Sequence, residues 1–264
     1  MPTSSTPTCW TSSGPDHARP RSQEVRLSTP TAVLVHGAFA DASSYSPVTS
    51  ALLAKGLPVL AVAVPNRSLL GDAASVRAVI ESIDGPVLLI GHSYGGAVIT
   101  VAGDAENVVG LLYLAGYALE EGESLAQLQG GFPDSDLPAA LVQRPFPATG
   151  DSSDGIDVTV DPDRFAAVVG ADVDPKLMAV LAVSQRPLAA VAFSEAAPVA
   201  AWRSRPTWAV VCTSDTAINP DVQRFGYQRA GATVIEIDSS HLVMLSRPDD
   251  VVDLIESIVA VLTR

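Results

Sequence analysis

A serine stands at position 93 inside Gly91-His92-Ser93-Tyr94-Gly95, directly after the apolar run 86–90 (Pro-Val-Leu-Leu-Ile). When a G-x-S-x-G pattern joins a strand to a helix, the turn is so sharp that the serine is strained and its hydroxyl stands above the sheet edge. A serine hydroxyl is a weak nucleophile at neutral pH and needs a base within reach. The chain has four histidines, at positions 17, 36, 92 and 241. His17 lies in the N-terminal segment, and His36 and His92 belong to turns beside strands. His241, after Asp238-Ser239-Ser240, is the one placed to reach the serine from another loop. The base in turn needs a carboxylate to fix its tautomer and balance its charge. Asp215, in Cys212-Thr213-Ser214-Asp215, leads. Asp238 competes but lies only three residues from His241, and Asp221 reads as a first-turn helix residue. The order Ser93, Asp215, His241, with separations of 122 and 26 residues, is the order of this elbow class. Acyl transfer also requires two preorganised N–H donors for an oxyanion. Tyr94, after the serine, supplies one. Ala38, in Val35-His36-Gly37-Ala38-Phe39, is the candidate for the other.

These residues are useful only if strand ends carry them to one place. The run 31–35 reads as a buried strand, 44–55 as a helix stopped by Gly56, 57–64 as a strand, and 72–83 as a helix starting at Gly71-Asp72. The run 87–90 leads to the elbow, 96–102 belongs to the helix after it, and 108–115 is a further strand. Near-continuous apolar strands alternating with helices indicate an α/β fold whose mostly parallel central sheet is covered by helices on both faces. The rhythm breaks over 118–205, rich in proline, glycine and acids, with helical patches at 163–169, 175–184 and 188–197. It resumes with strands at 207–212 and 233–237 and helices at 220–230 and 248–262. The expected organisation is a core of 31–117 and 206–264, interrupted by an inserted helical cap at 118–205.

The 264 residues suffice for one large domain, and a 47% hydrophobic content supports a generous interior. A net charge of −13 repels nucleic acid and anionic lipid, so neither is expected as a partner. The two cysteines, Cys9 and Cys212, do not read as a pair or a metal cluster, which fits a reducing, cytoplasmic setting. Residues 1–30, rich in Ser, Thr and Pro, read as a disordered or extension segment without the apolar run of a signal peptide. No stretch reaches the length of a membrane span.

With these motifs in hand, the chain resembles the α/β-hydrolase superfamily, and within it the small plant-type methylesterase and hydroxynitrile-lyase group with its bacterial esterase relatives. The resemblance rests on Val-His-Gly-Ala-Phe at 35–39, Gly-His-Ser-Tyr-Gly-Gly at 91–96, Ser-Asp at 214–215 and Ser-His at 240–241, within a framework over 31–264. It implies a carboxylic-ester hydrolase using Ser93, His241 and Asp215 through an acyl-enzyme, with Ala38 and Tyr94 as the oxyanion hole and with neither metal nor organic cofactor. Leu242 stands where plant hydroxynitrile lyases place a lysine, which argues against that activity. A serine nucleophile disfavours haloalkane dehalogenation. The first loop is His-Gly-Ala-Phe rather than the His-Gly-Gly-Gly of one lipase branch, and the fold's usual leading strands are not evident before residue 31.

The expected partner is a small to medium, uncharged ester in an apolar pocket. Phe39, Tyr45, Phe132 and Phe146 are the candidate substrate contacts, with Phe165, Phe193 and Trp202 completing the aromatic set. Arg144 and Arg186 could meet a carboxylate. Alternatives on the same triad are perhydrolysis, C–C bond cleavage, or a small-molecule receptor that keeps the triad. Oligomeric state is not legible.

Overall fold

The computed structural model describes residues 28–147 and 155–264, so most of the expected extension, with Cys9 and His17, lies outside the described residues. The first half alternates β1 (Thr31–Val35), α1 (Ser46–Ala54), β2 (Val59–Val62), α2 (Leu69–Glu81), β3 (Val87–His92), α3 (Tyr94–Ala102) and β4 (Val108–Leu114). Then come α4 (Leu125–Gln129), β5 (Leu141–Phe146), β6 (Gly155–Val160), α5 (Pro162–Val169), α6 (Pro175–Val183) and β7 (Leu188–Ala189). The chain closes with β8 (Thr207–Cys212), α7 (Pro220–Arg229), β9 (Thr233–Ile237), α8 (Val243–Ser246) and α9 (Pro248–Leu262). Among the described residues no helix is long and apolar enough to cross a membrane.

Six parallel strands form one sheet in the order β2-β1-β3-β4-β8-β9. β3 is buried along its whole length and β1 along all but its first residue, because α1 and α9 pack together on one face and α2 and α3 on the other. From β1 the chain moves outward to β2, then returns past β1 to β3. The strand order therefore reverses between β1 and β3. Crossovers leave that point in opposite directions, which opens a crevice at the carboxyl ends of the two strands. The His36-Gly37-Ala38 loop follows β1 and Ser93 follows β3, so topology alone brings both into that crevice.

Two local readings need correction. α2 begins at Leu69, capped by the Ser68 hydroxyl accepting from Gly71 N–H at 2.9 Å, and not at Asp72. Asp72 faces inward instead, fully buried. The inserted segment is not purely helical: β5, β6 and β7 form a three-stranded antiparallel sheet. The expected helix at 188–197 fails because Leu188 and Ala189 pair with Val158 and Asp157, and Ala189 N–H donates to Asn66 O at 2.9 Å. Long-range pairing outweighs the helix propensity of an alanine-rich run. Pro145 is tolerated because β5 is an edge strand of that sheet.

Candidate active site

Ser93 is the N-cap of α3, with φ +54° and ψ −122°, a conformation that costs an L-residue about 1–3 kcal/mol. The surrounding backbone holds it there. Ser93 N–H donates to Leu114 O at 3.1 Å, and Ser93 O accepts from Gly96 N–H at 2.9 Å and Tyr117 N–H at 3.2 Å. Gly95 has no alternative: a Cβ there would lie 2.3 Å from Val35 O. Tight α3–β1 contact is thus a condition of the turn. Beneath it, Tyr94 O–H donates to Asp72 Oδ2 at 2.7 Å, and Arg67 N–H donates to Oδ1 at 3.1 Å. Burial raises the Asp72 pKa above the usual carboxylate range although these donors oppose it.

His241 is buried beside the serine. Its Nδ1 lies 2.7 Å from Asp215 Oδ2, leaving Nε2 free for a hydroxyl. Asp215 takes three further donors: Ala217 and Ile218 N–H on Oδ1 at 2.8 and 2.9 Å, and Gln223 Nε2 on Oδ2 at 2.8 Å. Gln223 is itself fixed, accepting from Cys212 N–H at 3.0 Å. The carboxylate thus acts only as an acceptor and holds the Nδ1–H tautomer. Asp238 is engaged elsewhere, accepting from the Ser214 hydroxyl at 2.8 Å. Among the described residues Ser93 Oγ forms no hydrogen bond with His241. The two line one cavity, in which such bonds often tighten only around a substrate.

The β1 loop reaches the same place. A Cβ on Gly37 would lie 2.8 Å from Ser93 Cβ, so only glycine allows the loop so near Ser93. Ala38 lines the cavity, and among the described residues its amide has no acceptor. Tyr94 N–H, in the first turn of α3, has no intrahelical acceptor. Two unspent donors therefore flank Ser93. His36 secures the loop: its Nε2 accepts from Val64 N–H at 2.9 Å and its Nδ1–H donates to Gly37 O at 2.9 Å. Burial lowers its pKa. His92 Nε2–H donates to the His241 carbonyl at 2.9 Å, with the two rings 4.6 Å apart. Burial, then the charge on His241, holds the His92 pKa well below the ordinary value.

The cavity encloses about 50 Å³. Ala38 and Phe39 border it from the β1 loop, and Leu137, Phe165, Val169 and Leu181 border it from the inserted segment. That segment also grips the loop that carries His241. Leu242 N–H donates to Val169 O at 3.1 Å, Ser240 N–H donates to Asp172 Oδ2 at 3.0 Å, and the Ser240 hydroxyl donates to Asp172 Oδ1.

Of the four aromatic residues expected against substrate, only Phe39 lines this cavity, at φ +62°. Tyr45 is wholly buried, its hydroxyl directed to Val35 O at 3.5 Å. Phe132 packs edge-on against Phe225, centroids 5.4 Å apart, and Phe146 lies under the Arg67 guanidinium at 5.1 Å. An aromatic ring seeks burial, and several surfaces offer it; residue type does not say which. Phe165 is the aromatic that enters from the inserted segment. Neither arginine lines the cavity: Arg186 donates to Pro65 O at 3.3 Å, and Arg144 is exposed on β5. Gln223, Asp172 and His92 went unread as site residues. Gln223 sits on a helix that looks polar all round, and Asp172 in a turn-like Gly-Ala-Asp, so no spacing marks either. Among the described residues no group of three His, Cys, Asp or Glu side chains could hold a metal ion.

Known proteins share this framework. The model of the alpha/beta hydrolase family matches residues 32–254. A search of curated proteins found no match. Among solved structures, polyneuridine aldehyde esterase superposes with a TM-score of 0.76 at 20% identity, over 87% of this chain and 99% of that one. A pyrethroid hydrolase from Sphingobium faniae JZ-2 gives 0.70 at 20% identity, over 88% and 97%. The methylesterase MES16 from Arabidopsis gives 0.73 at 16% identity, over 88% and 99%. Identities this low speak for fold alone, whereas the family match spans most of the sequence: the chain belongs to the alpha/beta hydrolase family.

Proposed function

We propose that the protein is a serine carboxylesterase acting on small to medium, uncharged esters. The observation that carries this reading is the Asp215–His241 pair at 2.7 Å, with His241 lining a cavity that Ser93 and Ala38 also line. His241 Nε2 takes the Ser93 proton as Oγ attacks the ester carbonyl. The carbonyl oxygen, now an anion, is received by the Ala38 and Tyr94 N–H groups. The tetrahedral species collapses, the alcohol leaves with the proton from His241, and an acyl-Ser93 remains. Water, deprotonated by His241, releases the acid and restores the serine. The Asp215 carboxylate stabilises the imidazolium. The inserted segment at 118–205 acts as the cover that excludes bulk water and shapes the pocket. Esterase and hydrolase activities named for structures of the same fold agree with this reading.

Intact-mass spectrometry after incubation with a fluorophosphonate tests it. Wild type should gain one adduct and Ser93→Ala none, and Ser93→Ala should lose roughly five to six orders of magnitude in ester turnover. Folded wild type that takes up no adduct and turns over no ester would refute the reading, and a triad-bearing receptor would replace it.

A further inference from the structure

The cavity at Ser93 is small. Its volume of about 50 Å³ is well under the roughly 300–1,000 Å³ of pockets that enclose a drug-sized ligand. A second compartment, of about 130 Å³, lies against it. Leu137 and Ala217 line both, so they form the common wall. The backbone of that wall is tied down: Asp136 N–H donates to Thr216 O at 2.9 Å, and the Ser135 hydroxyl donates to Ala217 O at 2.8 Å. Ala217 is further held by its amide on Asp215. A methyl group cannot swing aside, so the Leu137 side chain is the part of the wall that can move.

Beyond the wall the lining is apolar, from Leu125, Leu141 and Phe193, with one polar feature. Tyr117 O–H donates to Gln129 Oε1 at 3.1 Å, while Gln129 Nε2 is buried with no partner among the described residues. A buried amide left half-satisfied is costly, and a ligand oxygen placed there would recover that cost. If the amide is turned, its other end is the one left over, and a ligand hydroxyl still satisfies it. The outer rim, at Ala126 and Pro138, is exposed.

We propose that this compartment is a second substrate subsite. It takes an unbranched apolar arm of an ester whose carbonyl sits at Ser93, and it favours an arm carrying a hydroxyl or carbonyl oxygen at the depth of Gln129. The proposal rests on the esterase reading and adds the substrate class. The arm enters past Leu137, which makes Leu137 the specificity-determining residue between short and long esters.

Two ester series, p-nitrophenyl esters of straight-chain acids and acetates of straight-chain alcohols, distinguish an acyl arm from an alcohol arm. In one series kcat/KM should climb up to about fourfold per added methylene. Leu137→Ala should raise the long-to-short ratio by lowering the wall. Ala126→Phe, which fills the compartment from the rim, should cut that ratio by about tenfold or more with an unchanged melting temperature. Gln129→Leu should abolish the preference for an oxygen-bearing arm over a plain one. Calorimetric titration of a long ester into Ser93→Ala, with and without Ala126→Phe, reads the subsite without chemistry, and the added substitution should weaken Kd about tenfold. If wild type hydrolyses no ester but that difference persists, the chemistry fails and the subsite stands. If esters are cleaved, yet Ala126→Phe alters neither the ratio nor Kd, the subsite is overturned.

Discussion

Acid should weaken this fold in a defined window, and His36 allows the size of the effect to be worked out. Its Nε2 accepts from Val64 N–H, so the ring is bound in its neutral form, and a proton there would remove the bond that ties the β1 loop to the strand beside it. Of the charged groups around it, Asp41 favours the charged ring and Arg186 opposes it, but burial dominates and lowers the pKa below the ordinary 6.5. The unfolded chain therefore binds more protons than the folded one between that lowered value and about 6.5, and stability rises with pH across the window. A histidine kept neutral in the fold contributes RT ln(1 + 10^(6.5 − pH)) to unfolding. This is negligible at pH 7.5 and has a ceiling of about 1.4 kcal/mol at pH 5.5, the limit for a ring that stays neutral there. His92 is depressed further and acts with the same sign, so it adds to the loss in the same window. His36→Gln places an oxygen where Nε2 was, keeps an acceptor for Val64 N–H and cannot titrate. Urea unfolding at pH 7.5 and 5.5 should show the variant losing up to about 1.4 kcal/mol less than wild type. Equal losses in both proteins would refute the reasoning.

Asp215→Asn should lower kcat by about 10⁴-fold, because the amide favours the wrong His241 tautomer, whereas Asp238→Asn should stay within about threefold of wild type in an ester assay. Asp172→Asn weakens the hold on Ser240 and should reduce kcat by roughly ten- to a hundredfold with little change in KM, since only the aim of His241 is disturbed. Burial acts to raise the Asp172 pKa, but the Ser240 hydroxyl and amide outweigh it and leave it below the usual range. Its hold on the loop is therefore present above that range and lost as pH falls through the lowered value, which a kcat–pH profile on the acid side reads. Gly95→Ala should yield little soluble protein, because its Cβ would meet Val35 O at 2.3 Å and the obstacle is backbone.

The parallel sheet was legible because each of its central strands is a short, near-continuous run of apolar residues, rich in Val and Leu, and these runs alternate with helical segments. Ser93, His241 and Asp215 were legible for a related reason: they follow strands at their carboxyl ends, and so few histidines leave little choice. The structure brings these three together. The strands β5–β7 were not legible, since short, half-exposed segments take their pairing from partners far along the chain, as Leu188 does from Val158. Gln223 was hidden by the opposite effect. A helix whose buried face carries a glutamine has the periodicity of a surface helix, and only the carboxylate it meets reveals its task. The start of α2 was misplaced because Asp72 resembles a capping residue, when its carboxylate is required below Tyr94.

The grip of the inserted segment on the neighbours of His241 has an evolutionary consequence. The stretch that carries Phe165, Val169 and Asp172 both borders the cavity and holds the loop around His241, through Val169 O on Leu242 and Asp172 on Ser240, which in the proposed mechanism aims the base. Substrate range and turnover are therefore not separable traits. A lineage that remodels this stretch to admit a new ester also re-aims the imidazole, and must adjust residues 240–242 in the same step or lose rate. Grafting the insert from a relative should behave accordingly: transplanted alone it brings the donor's selectivity at a fraction of its speed, and transplanted with the histidine loop it brings both.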